Sequence, residues 1–279
     1  MNGRIGFMQG RLSPLVDGRI QAFPWGCWNE EFPAAQRAGF RLMEWTLDQE
    51  RLYENPLLTA AGQAEIRALC AQYQVSIPSL TGDCFMQAPF WKARGSERES
   101  LQRDFGAVAE ACAAVGIGTM VVPLVDNGRL DTEEQASALV GFLSAQRPLL
   151  AKLRVRVVFE SDLPPIELAQ FMDRLDPGFF GVNYDMGNSA ALGYDPGAEL
   201  AAYGRRVLNV HIKDRVLGGT TVPLGSGNTD FDAVFAGLAA AGYRGNYILQ
   251  TARASDGEHA GALMRYRDMA TAWLRAHGA

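Results

Sequence analysis

The 279-residue chain is read as an α/β protein, a (β/α)8 TIM barrel forming a single domain over residues 1–279. Eight short β-branched runs recur along it, and helical patterns with apolar residues three and four apart lie between them. One strand and one helix every ~35 residues is the spacing of a closed eight-fold barrel. A doubly wound sheet would carry a glycine-rich phosphate fingerprint after its first strand. Residues 3–10 hold no GxGxxG, and no proline- or serine-rich linker divides the chain.

The first run is Arg4–Gln9, and Gly39 marks the end of the helix that precedes the second run, Arg41–Thr46. A helix over Glu65–Tyr73 leads to the third run, Val75–Leu80. Ser100–Ala114 is helical and closes at Gly116, ahead of the fourth run, Thr119–Leu124. Thr132 before Glu133, Glu134 and Gln135 reads as an N-cap for a helix over Glu133–Leu153. The fifth run, Arg154–Glu160, precedes a helix over Ile166–Leu175. Phe180–Asp185 is the sixth, and Asp195-Pro196 opens a further helix. Leu208–Lys213 is the seventh run, Gly242 closes the helix before the eighth, Asn246–Thr251, and Ala260–Ala276 is the last helix. Gly39, Gly116 and Gly242 suit helix C-termini that need positive φ.

Composition narrows the function. Net charge is −5, from 26 basic and 31 acidic residues, which argues against a nucleic-acid partner held by bulk electrostatics. No apolar stretch is long enough for a membrane span, and the first residues carry no signal core, so a cytoplasmic protein is expected. Cys27, Cys70, Cys84 and Cys112 show no CxxC spacing and are read as reduced, with Cys70 and Cys112 as small buried residues of helices. With only three histidines, His211, His259 and His277, any catalytic or metal site has few candidates.

Barrel chemistry sits at the C-terminal strand ends. Here the fifth, sixth and seventh runs reach Glu160, Asp185 and His211, and the eighth reaches Gln250. Adjacent strands lie about 5 Å apart, so these side chains can converge on one ion. Two carboxylates and an imidazole suit one divalent metal, Mn²⁺, Mg²⁺, Co²⁺ or Zn²⁺, and Gln250 can add a neutral amide oxygen. The second run carries Glu44, and the third and fourth lead to Asp83 and Asp126. Lys213, Arg215 and Arg253 are cations at the same rim, suited to a phosphate, a carboxylate or plain solvent. Phe7 and Trp45 are placed beside the site as rings on which a sugar face can stack. The other early aromatics serve as core or as a subunit interface, which leaves a homo-oligomer open.

These motifs, in this order, resemble the sugar phosphate isomerase/epimerase family of xylose isomerase-like TIM barrels over essentially the whole chain. The resemblance is carried by Ile5-Gly6-Phe7-Met8-Gln9-Gly10-Arg11-Leu12-Ser13-Pro14, Phe159-Glu160-Ser161, Asp185-Met186-Gly187-Asn188, His211-Ile212-Lys213-Asp214 and the loop Pro223-Leu224-Gly225-Ser226-Gly227-Asn228. It implies a divalent metal held at the positions of Glu160, Asp185, His211 and Gln250, an enediolate intermediate, and a carbohydrate substrate. Glu44, Asn188, Lys213, Arg215 and Arg253 are the expected substrate contacts, and Glu160 and Gln250 the catalytic pair. In the family's 3-epimerases two glutamates exchange the proton on opposite faces of the sugar. Gln250 stands where the second is usual, and an amide has no titrating group. The expected chemistry is therefore same-face aldose–ketose isomerisation in preference to epimerisation. The glycine loop reads either as a phosphate or sugar cradle or as an ordinary connection. The alternatives are a metal-dependent dehydratase of a polyol or keto-inositol and a non-catalytic sugar-binding barrel. An apurinic endonuclease, from the same superfamily, needs more histidines than the single one at a strand end.

Overall fold

The computed structural model describes residues 2–278. Eight parallel strands close into a barrel: β1 (Ile5–Met8), β2 (Met43–Thr46), β3 (Ser79–Thr81), β4 (Thr119–Leu124), β5 (Arg156–Ser161), β6 (Phe180–Asp185), β7 (Val207–Ile212) and β8 (Tyr247–Leu249). Each pairs with its sequence neighbours, and β8 pairs with β1 to close the ring. The third strand starts later than its β-branched run suggests. Pro78 has no N–H to give to the ladder, so only an isolated bridge at Ser76 precedes Ser79–Thr81.

The helix over Glu133–Leu153 has the predicted bounds, with the Thr132 hydroxyl accepting from the Gln135 N–H at 3.3 Å. Gly39, Gly116 and Gly242 have φ of 76°, 86° and 77°, the left-handed geometry expected of them. Short helices over Glu31–Arg37, Asp83–Gln87 and Met186–Leu192 carry too few turns to print a helical period on the sequence. A two-stranded antiparallel ribbon, Asp214–Arg215 with Thr221–Val222, follows β7. No helix among the described residues is long and apolar enough to cross a membrane. All four cysteines are free thiols, Cys84 and Cys112 buried, Cys27 and Cys70 half-buried.

The register between β6 and β7 shifts once. Val182 faces Val207, but Asn183 faces Asn209, so Leu208 is an extra residue on β7. Gly181 makes room for it: a Cβ at that glycine would lie 2.5 Å from the Leu208 Cδ1. Beyond the irregularity Asp185 stands opposite His211.

The seam between β8 and β1 is braced by two arginines. The buried Arg11 guanidinium donates to the carbonyls of Thr251 at 3.0 Å and Ile20 at 2.9 Å. Arg253 donates to the carbonyls of Gly10 and Ser13, while the buried Glu31 carboxylate accepts from the N–H groups of Gly10 at 2.7 Å and Leu12 at 2.9 Å. The loop after β1 has no ladder of its own, and these side chains satisfy its backbone. Arg253→Ala is expected to cost about 1–3 kcal/mol of stability by leaving those carbonyls unpaired; urea unfolding of the variant measures it.

Candidate active site

A cavity of about 560 Å³ opens at the C-terminal strand ends, where the barrel architecture locates chemistry. Glu160, Asn188, Lys213 and Gln250 line it, with Asp83 from the segment after β3 and Gln21 from the loop after β1. Beneath it, polar side chains replace the usual apolar filling of a barrel. His211, fully buried, presents Nε2 to Glu44 Oε1 at 2.7 Å and Nδ1 to Glu160 Oε2 at 3.1 Å. Glu44 Oε2 accepts from Ser79 at 2.6 Å and Asn209 at 2.9 Å. Asn183 donates to Glu160 Oε2 at 2.9 Å and lies 3.1 Å from His211 Nδ1, and Asn188 donates to Glu160 Oε1 at 2.7 Å. Asp185 caps the following helix through the Asn188 N–H at 2.8 Å and turns its other oxygen to Lys213 Nζ at 3.2 Å. Gly187 lets that helix pass close to Lys213, since a Cβ there would lie 2.7 Å from the lysine Cγ.

The strand-end reading of Glu160, Asp185 and His211 places them correctly. All three are buried and offer one donor atom each within 4.8 Å of one another. Glu44 lies deeper than expected. It does not line the cavity and holds the imidazole from behind. An Nε2–H bonded to Glu44 leaves the Nδ1 lone pair aimed at Glu160 and, at 4.0 Å, Asp185. Two acceptors 3.1 Å apart need a cation between them, so the donor set fits a divalent ion. Burial lowers the basicity of His211, but Glu44 and Glu160 outweigh it and push its pKa up to about 10, so without an ion a proton fills that role. Burial works against ionised Glu160, yet its bond with His211 wins and its pKa is lowered. For Asp185 burial wins, against Lys213, and its pKa is raised.

Gln250 reaches the cavity. Its Oε1 faces Lys213 Nζ at 3.3 Å, and its amide nitrogen donates to Gln21 Oε1 at 2.7 Å. Gln21 in turn donates to Asp83 Oδ2 at 2.6 Å. Burial pushes Asp83 up to about 7; the Gln21 bond opposes this, and Asp48 and Glu160 add to it. Arg215 lines the cavity but donates to Asn188 Oδ1 at 2.8 Å and, through Nε and Nη2, to the Gly219 carbonyl at 3.0 and 2.6 Å.

Several expectations need correcting. Arg253 lies outside the cavity, its guanidinium taken up by the loop after β1. Of the two readings left open for the glycine loop, the geometry fits the ordinary connection, because the N–H groups of Gly225, Gly227 and Thr229 point at the Asp214 carboxylate at 2.8, 2.9 and 3.1 Å. Phe7 packs on Phe40, and Trp45 on Phe23 and Trp28, away from the cavity. Gln21, Asn183 and Asn209 escape the sequence reading. The two asparagines carried a signal, since each stands two residues before a donor, Asp185 or His211, and so faces the same side of its strand.

Glu44→Gln is expected to weaken divalent-metal binding roughly 10–100-fold by releasing the His211 tautomer, with the fold retained. Calorimetric titration with Mn²⁺ or Zn²⁺ beside a circular-dichroism spectrum checks it. Asp83 binds its proton more tightly folded than unfolded, so the stability it contributes is present below 3.8 and lost as pH rises through about 7. Asp83→Asn is therefore expected to gain urea resistance over the unmodified protein at pH 8 and to show no such gain at pH 3.5.

Comparison with known proteins agrees with this architecture. A putative L-ribulose-5-phosphate 3-epimerase of Escherichia coli K12, SgbU, is 26% identical over 238 residues, 80% of this chain and 83% of that one. The crystal structure of a xylose isomerase domain protein from Planctomyces limnophilus superposes with a TM-score of 0.77 at 15% identity, covering 99% and 98% of the two chains. IolI, solved with a bound zinc atom, gives a TM-score of 0.74 at 14% identity, covering 98% and 99%. The xylose isomerase-like TIM barrel model matches residues 32–276, a span that includes the strands carrying Glu160, Asp185 and His211 and the position of Gln250 just after β8, and the chain belongs to that family.

Proposed function

We propose that this protein is a divalent-metal-assisted isomerase of a small sugar, moving a proton from the carbon beside a carbonyl to the carbonyl carbon through an enediolate. The observation that carries the reading is the Glu160 carboxylate. It lines the cavity, is held on both oxygens by Asn183 and Asn188, and lies beside the Asp185–His211 donor pair. The zinc atom of the IolI structure supports the metal, and the E. coli relative, a putative 3-epimerase, supports proton transfer beside a sugar carbonyl while its name fits inversion at that carbon.

Glu160, Asp185 and His211 would hold the cation, with Gln250 as a neutral neighbour. When bound, the ion supplies positive charge that polarises a carbonyl and offsets the developing enediolate charge. Glu160 is the base that removes the proton from the carbon beside the carbonyl, and Asn188 keeps its Oε1 directed into the cavity. Lys213, anchored between Asp185 and Gln250, donates to the substrate oxygens. Gln250 orients through Lys213 and Gln21 and transfers no proton. With Glu160 as sole base, the carbon-bound proton leaves one carbon and returns to its neighbour on the same face, and the hydroxyl proton passes between the two oxygens by way of Lys213 or water, which interconverts aldose and ketose.

A second reading, inversion at the carbon, is favoured by Asp83. It reaches the same cavity, linked through Gln21 to the position of the missing carboxylate, and titrates near neutrality. Solvent-deuterium exchange into a panel of sugars with Mn²⁺, followed by chiral product analysis, separates the two. Glu160→Gln is expected to lower exchange about 10²–10⁴-fold. Asp83→Asn removes inversion and spares same-face isomerisation. Exchange that survives Glu160→Gln rules out the assignment.

A further inference from the structure

The charge arrangement around the cavity bears on what the substrate can carry. A sugar phosphate brings a dianion on a terminal carbon, and its oxygens need donors or cations to replace water. Among the described residues, two cationic side chains line the cavity, Lys213 and Arg215. Lys213 sits at the reacting end, between Asp185 and Gln250. Arg215 spends three N–H directions on Asn188 and the Gly219 carbonyl. The loop amides that resembled a phosphate cradle are occupied by Asp214. Arg253 belongs to the loop after β1.

The remaining wall is acidic and apolar apart from neutral polar groups, Thr81, Gln21 and Gln87, and the two glutamine amides are turned to Asp83 and Asp48. Asp83, Asp126 and Asp162 face the cavity beside Ile20 and Leu192, which are 45% and 44% exposed. Asp162 is paired with Arg129 at 2.8 Å, and Asp126 stands at the rim on a left-handed backbone. Carboxylates repel a phosphate and accept from hydroxyl groups, and the C–H faces of a sugar suit the two aliphatic side chains.

Resting on the isomerase reading above, we infer that the substrate is an unphosphorylated polyhydroxy sugar, its hydroxyls donating to Asp83 and Asp126 and its apolar face meeting Ile20 and Leu192. This departs from the phosphorylated substrate named for the E. coli relative.

The test is calorimetric binding of xylitol and of xylitol 5-phosphate to the full chain at one ionic strength, with and without Mn²⁺. Solvent-deuterium exchange into ketopentoses and their 5-phosphates runs beside it. The neutral polyol is expected to bind at least tenfold tighter than its phosphate. Asp126→Asn should narrow that gap by weakening the neutral ligand and strengthening the phosphate. Equal or tighter binding of the phosphate overturns the inference, and so does binding of neither polyol. Preferential binding of the neutral polyol without exchange into any sugar upholds the substrate class and sinks the isomerase reading.

Discussion

The His211 imidazole is gripped at both edges, by Glu44 on Nε2 and by Glu160 and Asn183 at Nδ1, and the catalytic end is arranged around that ring. Glu44 and His211 are 167 residues apart in sequence and meet only because the barrel closes. The grip is itself held, since Ser79 and Asn209 fix Glu44, and Asn209 also donates to Asn183 at 2.9 Å. Buried polar groups are costly when unpaired and rigidifying when fully paired. This network spans β2, β3, β5, β6 and β7, so distortion of any one strand loosens the ring that aims the donor atom. Barrel closure and site geometry are one constraint.

Much of this was legible in the sequence because parallel strands buried on both faces are nearly continuous apolar runs. A glutamate, aspartate or histidine that ends such a run is conspicuous, and Glu160, Asp185 and His211 stand out for that reason. What did not show was depth. Glu44 sits inside the second run, two residues before its end, and its side chain turns beneath the cavity to His211. That difference comes from strand stagger around the ring, where Met8 faces Glu44, and one-dimensional spacing does not encode it. Gln21 was out of reach for another reason. It lies in a long loop without periodicity, and arrives at Gln250 and Asp83 only through the arginine-braced seam.

The rim arginines teach a related lesson. In a sequence an arginine is a mobile charge available to a ligand. In the folded chain Arg11, Arg215 and Arg253 serve as planar multi-donor braces for carbonyls that no strand or helix pairs. The glycines follow the same logic at Gly227, where a Cβ would lie 2.3 Å from Asp214 Oδ1. Their absence of side chains serves the loop's own wrapping around a buried carboxylate. Residue types that in other settings mark anion sites are here the internal scaffolding of long connections.

The extra residue on β7 has a consequence for how this chain can drift. Side-chain substitutions around the site act by degrees, lengthening a contact or weakening a donor. Register does not come in degrees. A strand slipped by one position turns its whole set of side chains to the opposite face. Because Leu208 is the odd residue between the Val182–Val207 and Asn183–Asn209 pairs, its loss leaves both pairs in register, whereas loss of Val210 would turn either Asn209 or His211 to the opposite face. Substitutions at Gln250 or Asp83 change the chemistry one atom at a time, while the spacing of Asn209 and His211 along β7 is fixed by the pleat.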